Sequence, residues 1–131
     1  SPTEVAASAR LIVTATASRA PLLSAGDLRP GMHVSAVGSD TPGKQELDAE
    51  ILRRASLLLV DSLAQCAKLG ELQHAPDQNP RAIEIGAFCA APSAFDRGGI
   101  TVADFTGLGV EDLFIAEACA ARLSLGPAGP V

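Results

Sequence analysis

Tryptophan and tyrosine are absent from the chain, and four phenylalanines leave its aromatic content at 3%. A core built from it must take its bulk from Leu, Ile, Val and Ala, as buried parallel strands flanked by helices do. Cysteine is scarce too. Cys66, Cys89 and Cys119 are odd in number and widely spaced, no Cys-x-x-Cys pair occurs, and neither His33 nor His74 lies near a cysteine in sequence. That pattern argues against a disulfide framework and against a zinc site, so no metal is expected. The three thiols read as small apolar residues in a reduced compartment.

An excess of positive charge is also missing. The formal net charge is −5, which gives no electrostatic footprint for nucleic acid or for an anionic membrane. No apolar run approaches the roughly 20 residues that span a bilayer. The opening "SPTEVAASAR" has no basic region leading into an apolar one. A soluble cytoplasmic protein, with neither nucleic acid nor membrane as partner, is the expectation. The last absence concerns glycine. No Gly-x-Gly-x-x-Gly occurs, and Gly98-Gly99 and Gly107-Leu108-Gly109 do not follow a strand and open a helix at that spacing.

What is present is a 131-residue chain with 47% hydrophobic residues, the size of one domain or a piece of one. Short apolar runs alternate with helical patterns. "RLIVTAT" (residues 10–16), "MHVSAVG" (32–38), "SLLLVDS" (56–62) and "ITVADF" (100–105) read as strands. Each looks apolar on both faces. Residues 17–31 read as a connection and 39–47 as a loop. Asp48 is placed to cap a helix over 49–55, with Glu50 in its first turn and Arg53 and Arg54 in its last. Residues 63–72 form a helix candidate with a break at Gly70. Residues 73–82 read as a loop, and 83–99 as short helix or loop. The clearest helix covers 110–123, where Val110, Leu113, Phe114 and Ala118 share one stripe; "GPAGPV" then stops it. The fold class expected is α/β: a partial Rossmann-like parallel sheet with flanking helices, lacking the first glycine-rich βαβ half.

One loop stands out. Asp40 and Lys44 follow the second strand within a few residues, in "AVGSDTPGKQELDAEIL". In an open α/β sheet, ligands bind where loops leave the carboxyl ends of strands. An Asp before Thr-Pro-Gly also serves as a turn former, and a loop Lys as a solvated charge. Asp61, at the end of the third strand, could line the same cleft or cap the following helix.

Three blocks in the same order carry a resemblance: "LIVTATASRAPLL", "LRPGMHVSAVGSDTPGKQELDAEIL" and "ITVADFTGLGVEDL". Together they resemble the ornithine cyclodeaminase and μ-crystallin family, which also holds archaeal-type alanine dehydrogenase and cyclic imino acid reductases. The resemblance runs from Arg10 to about Leu123 and implies a Rossmann-type domain binding NAD or NADP beside a substrate domain that forms a homodimer. It implies that residues 1–131 are the second half of the dinucleotide domain plus the return segment. The substrate and dimerisation domain is absent, and the missing half or self-association completes the chain.

Residue by residue, the resemblance makes Thr16, Val37, Gly38, Ser39 and Lys44 contacts of the cofactor and Asp40 the catalytic acid/base. Phe105 and Thr106 fall beside nicotinamide and substrate, with Phe105 where the family often has Ser. The implied reaction converts an amino acid by hydride transfer and deamination, of the L-ornithine to L-proline type. Alanine dehydrogenase-like, cyclic imine reductase-like and non-catalytic μ-crystallin-like roles are the alternatives. Protons move on nitrogen at each step of such a reaction, so a carboxylate near the nicotinamide is useful. An aspartate at its ordinary pKa of about 3.9 is a poor acid at neutral pH, so the site is expected to raise it.

Overall fold

Apolar β-branched stretches pair side by side in one direction, and the helices between them bring the chain back for the next strand. The computed structural model describes residues 1–123. The "GPAGPV" stretch expected to stop the last helix lies outside the described residues. In chain order the elements are α1 (Pro2–Ser8), β1 (Leu11–Thr14), β2 (Arg19–Leu23), β3 (His33–Ala36), β4 (Gln45–Leu47), α2 (Ala49–Arg54), β5 (Ala55–Val60), α3 (Leu63–Leu69), β6 (Ile83–Glu84), α4 (Ile85–Ala90), β7 (Ile100–Asp104) and α5 (Gly109–Arg122). Two short 3-10 turns, Glu71–His74 and Pro76–Arg81, follow α3. No described helix is long and apolar enough to cross a membrane.

Five strands form a parallel sheet in the order β1-β3-β7-β5-β6, the Rossmann-like arrangement expected. Its register is level. Ile12, Val34, Val102 and Leu58 lie in one row across four strands, and Thr14, Ala36, Asp104 and Val60 in the row at the carboxyl edge. Both rows point to the same side, since side chains two apart share a face. That side is the core. Leu47, Ile51, Leu52, Cys66 and Leu72 pack over it, all fully buried.

Local chemistry sets the helix boundaries. Asp48 accepts from the Glu50 N–H at 2.8 Å and so starts α2. Arg53 pairs with Asp77 through two contacts of 3.1 Å, and Arg81 donates to the Ala55 carbonyl at 2.6 Å, which binds the second 3-10 turn to α2 and β5. α3 ends at Leu69 with Gly70 as its C-cap, so the expected break at Gly70 is a real stop.

Several expectations need correction. Residues 17–31 and 39–47 are not plain connections: β2 and β4 inside them pair in parallel as a separate two-stranded sheet. Residues 73–82 are largely 3-10 turn. The outer strands are one-sided rather than buried on both faces. Leu11 and Val13 are 64% and 61% exposed, and α1 was not foreseen. Beside them on this second face, the His33 ring sits between the hydroxyls of Thr101 (2.8 Å) and Ser35 (3.0 Å). The apolar stripe of α5 does not enter the core either. Leu113 and Phe114 are exposed, and no residue of the helix is buried.

The core row should carry the stability. Leu58 is 2% exposed, so Leu58→Ala is expected to lower the unfolding free energy by about 2–5 kcal/mol in urea titrations. A loss well under that would mean the row is not close-packed.

Candidate active site

The carboxyl edge of the sheet is where the chain concentrates its unusual polar groups. Parallel strands end level here, so the loops after Thr14, Ala36, Asp104 and Val60 leave from one line. Thr16 lies two residues beyond β1 and is exposed. Val37 is exposed, donates its N–H to the Thr14 carbonyl at 2.9 Å, and leads into half-buried Gly38. The Phe105 N–H donates to the Ala36 carbonyl at 2.9 Å. Thr16, Val37, Gly38, Phe105 and Thr106 therefore gather at this edge from the ends of β1, β3 and β7.

Asp40 and Lys44 form an ion pair of 2.7 Å, and the Lys44 ammonium also reaches the Gly38 carbonyl at 3.3 Å. Lys44 thus binds the Asp40 loop to the β3 end. The hydrogen bond from Lys44 holds the exposed Asp40 carboxyl below its usual range. That direction is opposite to the raised value expected for a general acid, because the loop supplies a cation at contact distance and no burial. Ser39 is buried, and its hydroxyl lies 3.0 Å from both the Lys44 and Leu69 carbonyls. This hydroxyl secures the loop against the end of α3 and faces the protein's own backbone.

Behind these residues lies a chain of buried carboxylates that the sequence reading did not single out. Asp104, at the end of β7, accepts from the N–H groups of Glu71 and Leu72, both at 2.9 Å. The Glu71 carboxylate in turn accepts from the N–H groups of Glu46 (2.7 Å) and Leu47 (3.0 Å). The Glu46 carboxylate accepts from the Thr16 N–H (2.6 Å), the Thr14 hydroxyl (2.7 Å) and the Gly38 N–H (2.9 Å). All three acids have 0% relative exposure. Each acid binds the backbone of the segment that carries the next, so β7, the turn after α3, β4 and the ends of β1 and β3 are linked in series.

Two glycines follow from this arrangement. A Cβ on Gly38 would lie 2.5 Å from the Glu46 carboxylate and from the Thr16 nitrogen, and one on Gly70 would lie 2.6 Å from both Asp104 carboxylate oxygens. Both positions need glycine for close approach, and Gly38 is not the tight-turn glycine its loop suggests.

A fourth acid closes the other side. Asp61 accepts from the N–H groups of Ser62 (2.7 Å), Thr106 (2.8 Å) and Gly107 (2.7 Å). It therefore fixes the loop after β7, and the helix-cap role open to it in sequence is not taken, since Ser62 is the N-cap of α3 and no side chain caps that end. The Cys66 thiol points at Asp61 Oδ1 (3.0 Å), and burial pushes its pKa up. A neutral, enclosed thiol is not a nucleophile. Among the described residues, no group of three His, Cys, Asp or Glu side chains is placed to hold a metal ion. The crevice side of the edge thus shows a hydroxyl, an apolar Val and the Asp40–Lys44 pair, while the other acids spend their charge on backbone N–H groups.

One signal for the buried acids was present in the sequence: Asp104 interrupts an apolar strand. Glu46 and Glu71 gave none, since their partners are backbone groups distant in the chain.

Burial pushes Glu71 up to about 7 and Asp104 up to about 6, from ordinary values of 4.5 and 3.8. Both are acids raised by folding, so the folded state binds extra protons between the two sets of values. The resulting stability is complete at low pH and is lost as pH rises through about 6 to 7. The urea midpoint is expected to fall from about pH 5 to about pH 8, and Glu71→Gln to flatten that slope. An unchanged slope in the variant would remove Glu71 as its source.

With the geometry described, comparison with known proteins places it. The profile of the ornithine cyclodeaminase/mu-crystallin family matches residues 1–125. The iminosuccinate reductase of Paracoccus denitrificans, solved in complex with NAD+, superposes with a TM-score of 0.82 at 34% identity, covering 92% of this chain and 39% of that one. An archaeal alanine dehydrogenase dimer with bound NAD gives a TM-score of 0.73 at 32% identity, covering 89% and 39%. The ornithine cyclodeaminase of Brucella suis is 34% identical over 105 residues, covering 73% of this chain and 29% of that protein. The chain spans well under half the length of these relatives. Relatives in the family include cyclodeaminases, dehydrogenases and reductases, and the family uses nicotinamide dinucleotides, as the NAD complexes of the reductase and the dehydrogenase show. A parallel sheet with this order, matched along almost its whole length by that family, makes the chain a member of the ornithine cyclodeaminase/mu-crystallin family.

Proposed function

We propose that this chain is the acid/base-bearing part of a nicotinamide-dependent enzyme that converts an amino acid at its α-carbon, in the manner of an ornithine cyclodeaminase. The observation that carries the reading is the meeting of Thr16, Val37, Gly38, Phe105 and Thr106 at one carboxyl edge, beside the Asp40–Lys44 pair. The chain is the second half of the dinucleotide-binding domain with its return segment, and the phosphate-cradling half lies outside it. A homodimer is the assembly we assign, on the likeness to the dimeric archaeal alanine dehydrogenase.

The residues present fit the dinucleotide. Val37 offers an apolar surface and Thr16 a hydroxyl at the edge, and Glu46, Glu71 and Asp104 are saturated by N–H donors, so they aim no bare charge at a phosphate-bearing ligand. When bound, the nicotinamide ring takes up and returns the hydride of the substrate α-carbon. Thr16, Val37, Gly38 and the backbone of Ser39 would hold it, with Lys44 and Phe105 beside them. Thr106, whose N–H is fixed by Asp61 and whose hydroxyl lies against Asp61 and Gln65, would border the substrate. Asp40, kept ionised by Lys44, accepts the proton that leaves the substrate nitrogen and gives it back when ammonia departs. Its low pKa keeps it ionised and open to a proton, while making it a weak base.

A second reading has its own support. A reductase and a dehydrogenase match the chain nearly as fully as cyclodeaminases do, so likeness alone does not choose between them. A net oxidoreductase would release NADH on turnover of its amino acid, whereas a cyclodeaminase returns the hydride and leaves none. Stopped-flow absorbance of the intact protein with ornithine and with alanine separates the two.

Two variants test the assignment. Asp40→Asn is expected to lower turnover by about 10²-fold or more while dinucleotide affinity stays near native; near-native turnover would remove Asp40 as the acid/base. Lys44→Met removes the cation that holds Asp40 down. The acidic limb of the pH profile of kcat/KM is therefore expected to move to higher pH, and a limb that stays in place would show that Asp40 does not set it.

A further inference from the structure

Glu46 is a carboxylate with no exposure, yet all three of its partners lie on the two strand ends that border the crevice. It accepts from Thr16 N–H and Gly38 N–H, 30 and eight residues away in the chain, and from the Thr14 hydroxyl. Its own backbone is held from the other side by Glu71. Gly38 lacks a side chain in the one direction where a Cβ would displace this carboxylate. A rigid anchor therefore fixes the distance between the loop after β1 and the loop after β3, with Oε1 on the Thr16 amide and Oε2 on the Gly38 amide.

We propose that Glu46 is a positioning residue of the dinucleotide site, setting the spacing of Thr16 and Gly38 before the cofactor arrives. The inference rests on the reading of Thr16 and Gly38 as cofactor contacts. A site held in its bound geometry loses less freedom on binding, and that saving appears as affinity. Glu46 touches neither cofactor nor substrate; it acts through the two amides it holds.

Glutamine at this position keeps the shape but has one acceptor oxygen. Whichever way its amide turns, an NH2 group faces either the Thr16 N–H or the Gly38 N–H, and one loop is released. Thr14→Val makes the control. It removes a buried hydroxyl from the same carboxylate and leaves both amide contacts in place, so it costs stability without freeing either loop.

The test is NADH affinity, read by fluorescence titration of the intact protein that contains this chain, at a temperature where circular dichroism shows each variant folded. Glu46→Gln is expected to raise the NADH Kd about tenfold, the size of one lost charge-assisted hydrogen bond. Thr14→Val is expected to lower the melting temperature to a similar degree and leave Kd within about twofold. Native affinity in Glu46→Gln overturns the proposal, and so does an equal loss of affinity in Thr14→Val, which would mark the effect as general destabilisation. If Glu46→Gln does not fold, amide exchange in the unmodified protein decides. Thr16 and Gly38 amides protected before NADH is added support pre-set loops; amides that become protected only with NADH overturn them. Failure of the unmodified protein to bind NADH at all would instead overturn the cofactor assignment on which this rests.

Discussion

The structure depends on a relay of three buried carboxylates, each satisfied by backbone N–H groups rather than by a cation. Asp104 holds the turn after α3, Glu71 in that turn holds β4, and Glu46 in β4 holds the ends of β1 and β3. Charged groups out of water are costly unless each lone pair is engaged. Here backbone amides in fixed directions meet that need. A parallel sheet of five short strands would otherwise end in loops joined only by their own chain. The relay makes those loops one unit, and Asp61 joins the loop after β7 to it from the far side.

This arrangement separates two kinds of acid. Asp40 is exposed, paired to Lys44 and held low; Glu71 and Asp104 are enclosed and pushed up by burial. The exposed acid is the one that the proposed function uses to exchange protons with a ligand. The enclosed acids titrate with folding rather than with substrate. pH therefore reaches the site along two paths: directly through Asp40, and through the firmness of the loops that carry it.

Much of the sheet was legible. Strands β1, β3, β5 and β7 announce themselves as β-branched apolar runs, Asp48 marks the start of α2, and Gly70 marks the end of α3. β2 and β4 were hidden, one by Pro21 inside it and the other by its length and by Gln45 and Glu46, which look like surface residues. The stripe of α5 was read correctly as amphipathic, but periodicity says only that a face is apolar, not what covers it. The strand-end residues were found through a resemblance that fixes chemistry at loop positions. Glu46 and Glu71 were not, because their partners are amides fixed by tertiary structure and carry no side-chain signature.

The loops at the carboxyl edge are gripped from behind, by atoms that never face the crevice. The front and the back of the site are thus chemically independent. Side chains such as Val37 and Phe105 can be exchanged without loosening the backbone that presents them, since their N–H groups are held by the Thr14 and Ala36 carbonyls and the neighbouring Gly38 and Thr106 N–H groups by Glu46 and Asp61. A scaffold of this kind permits drift in what it recognises while forbidding drift in where it holds it. Phe105, standing where relatives of the resemblance often carry a hydroxyl, is the sort of change such a frame tolerates.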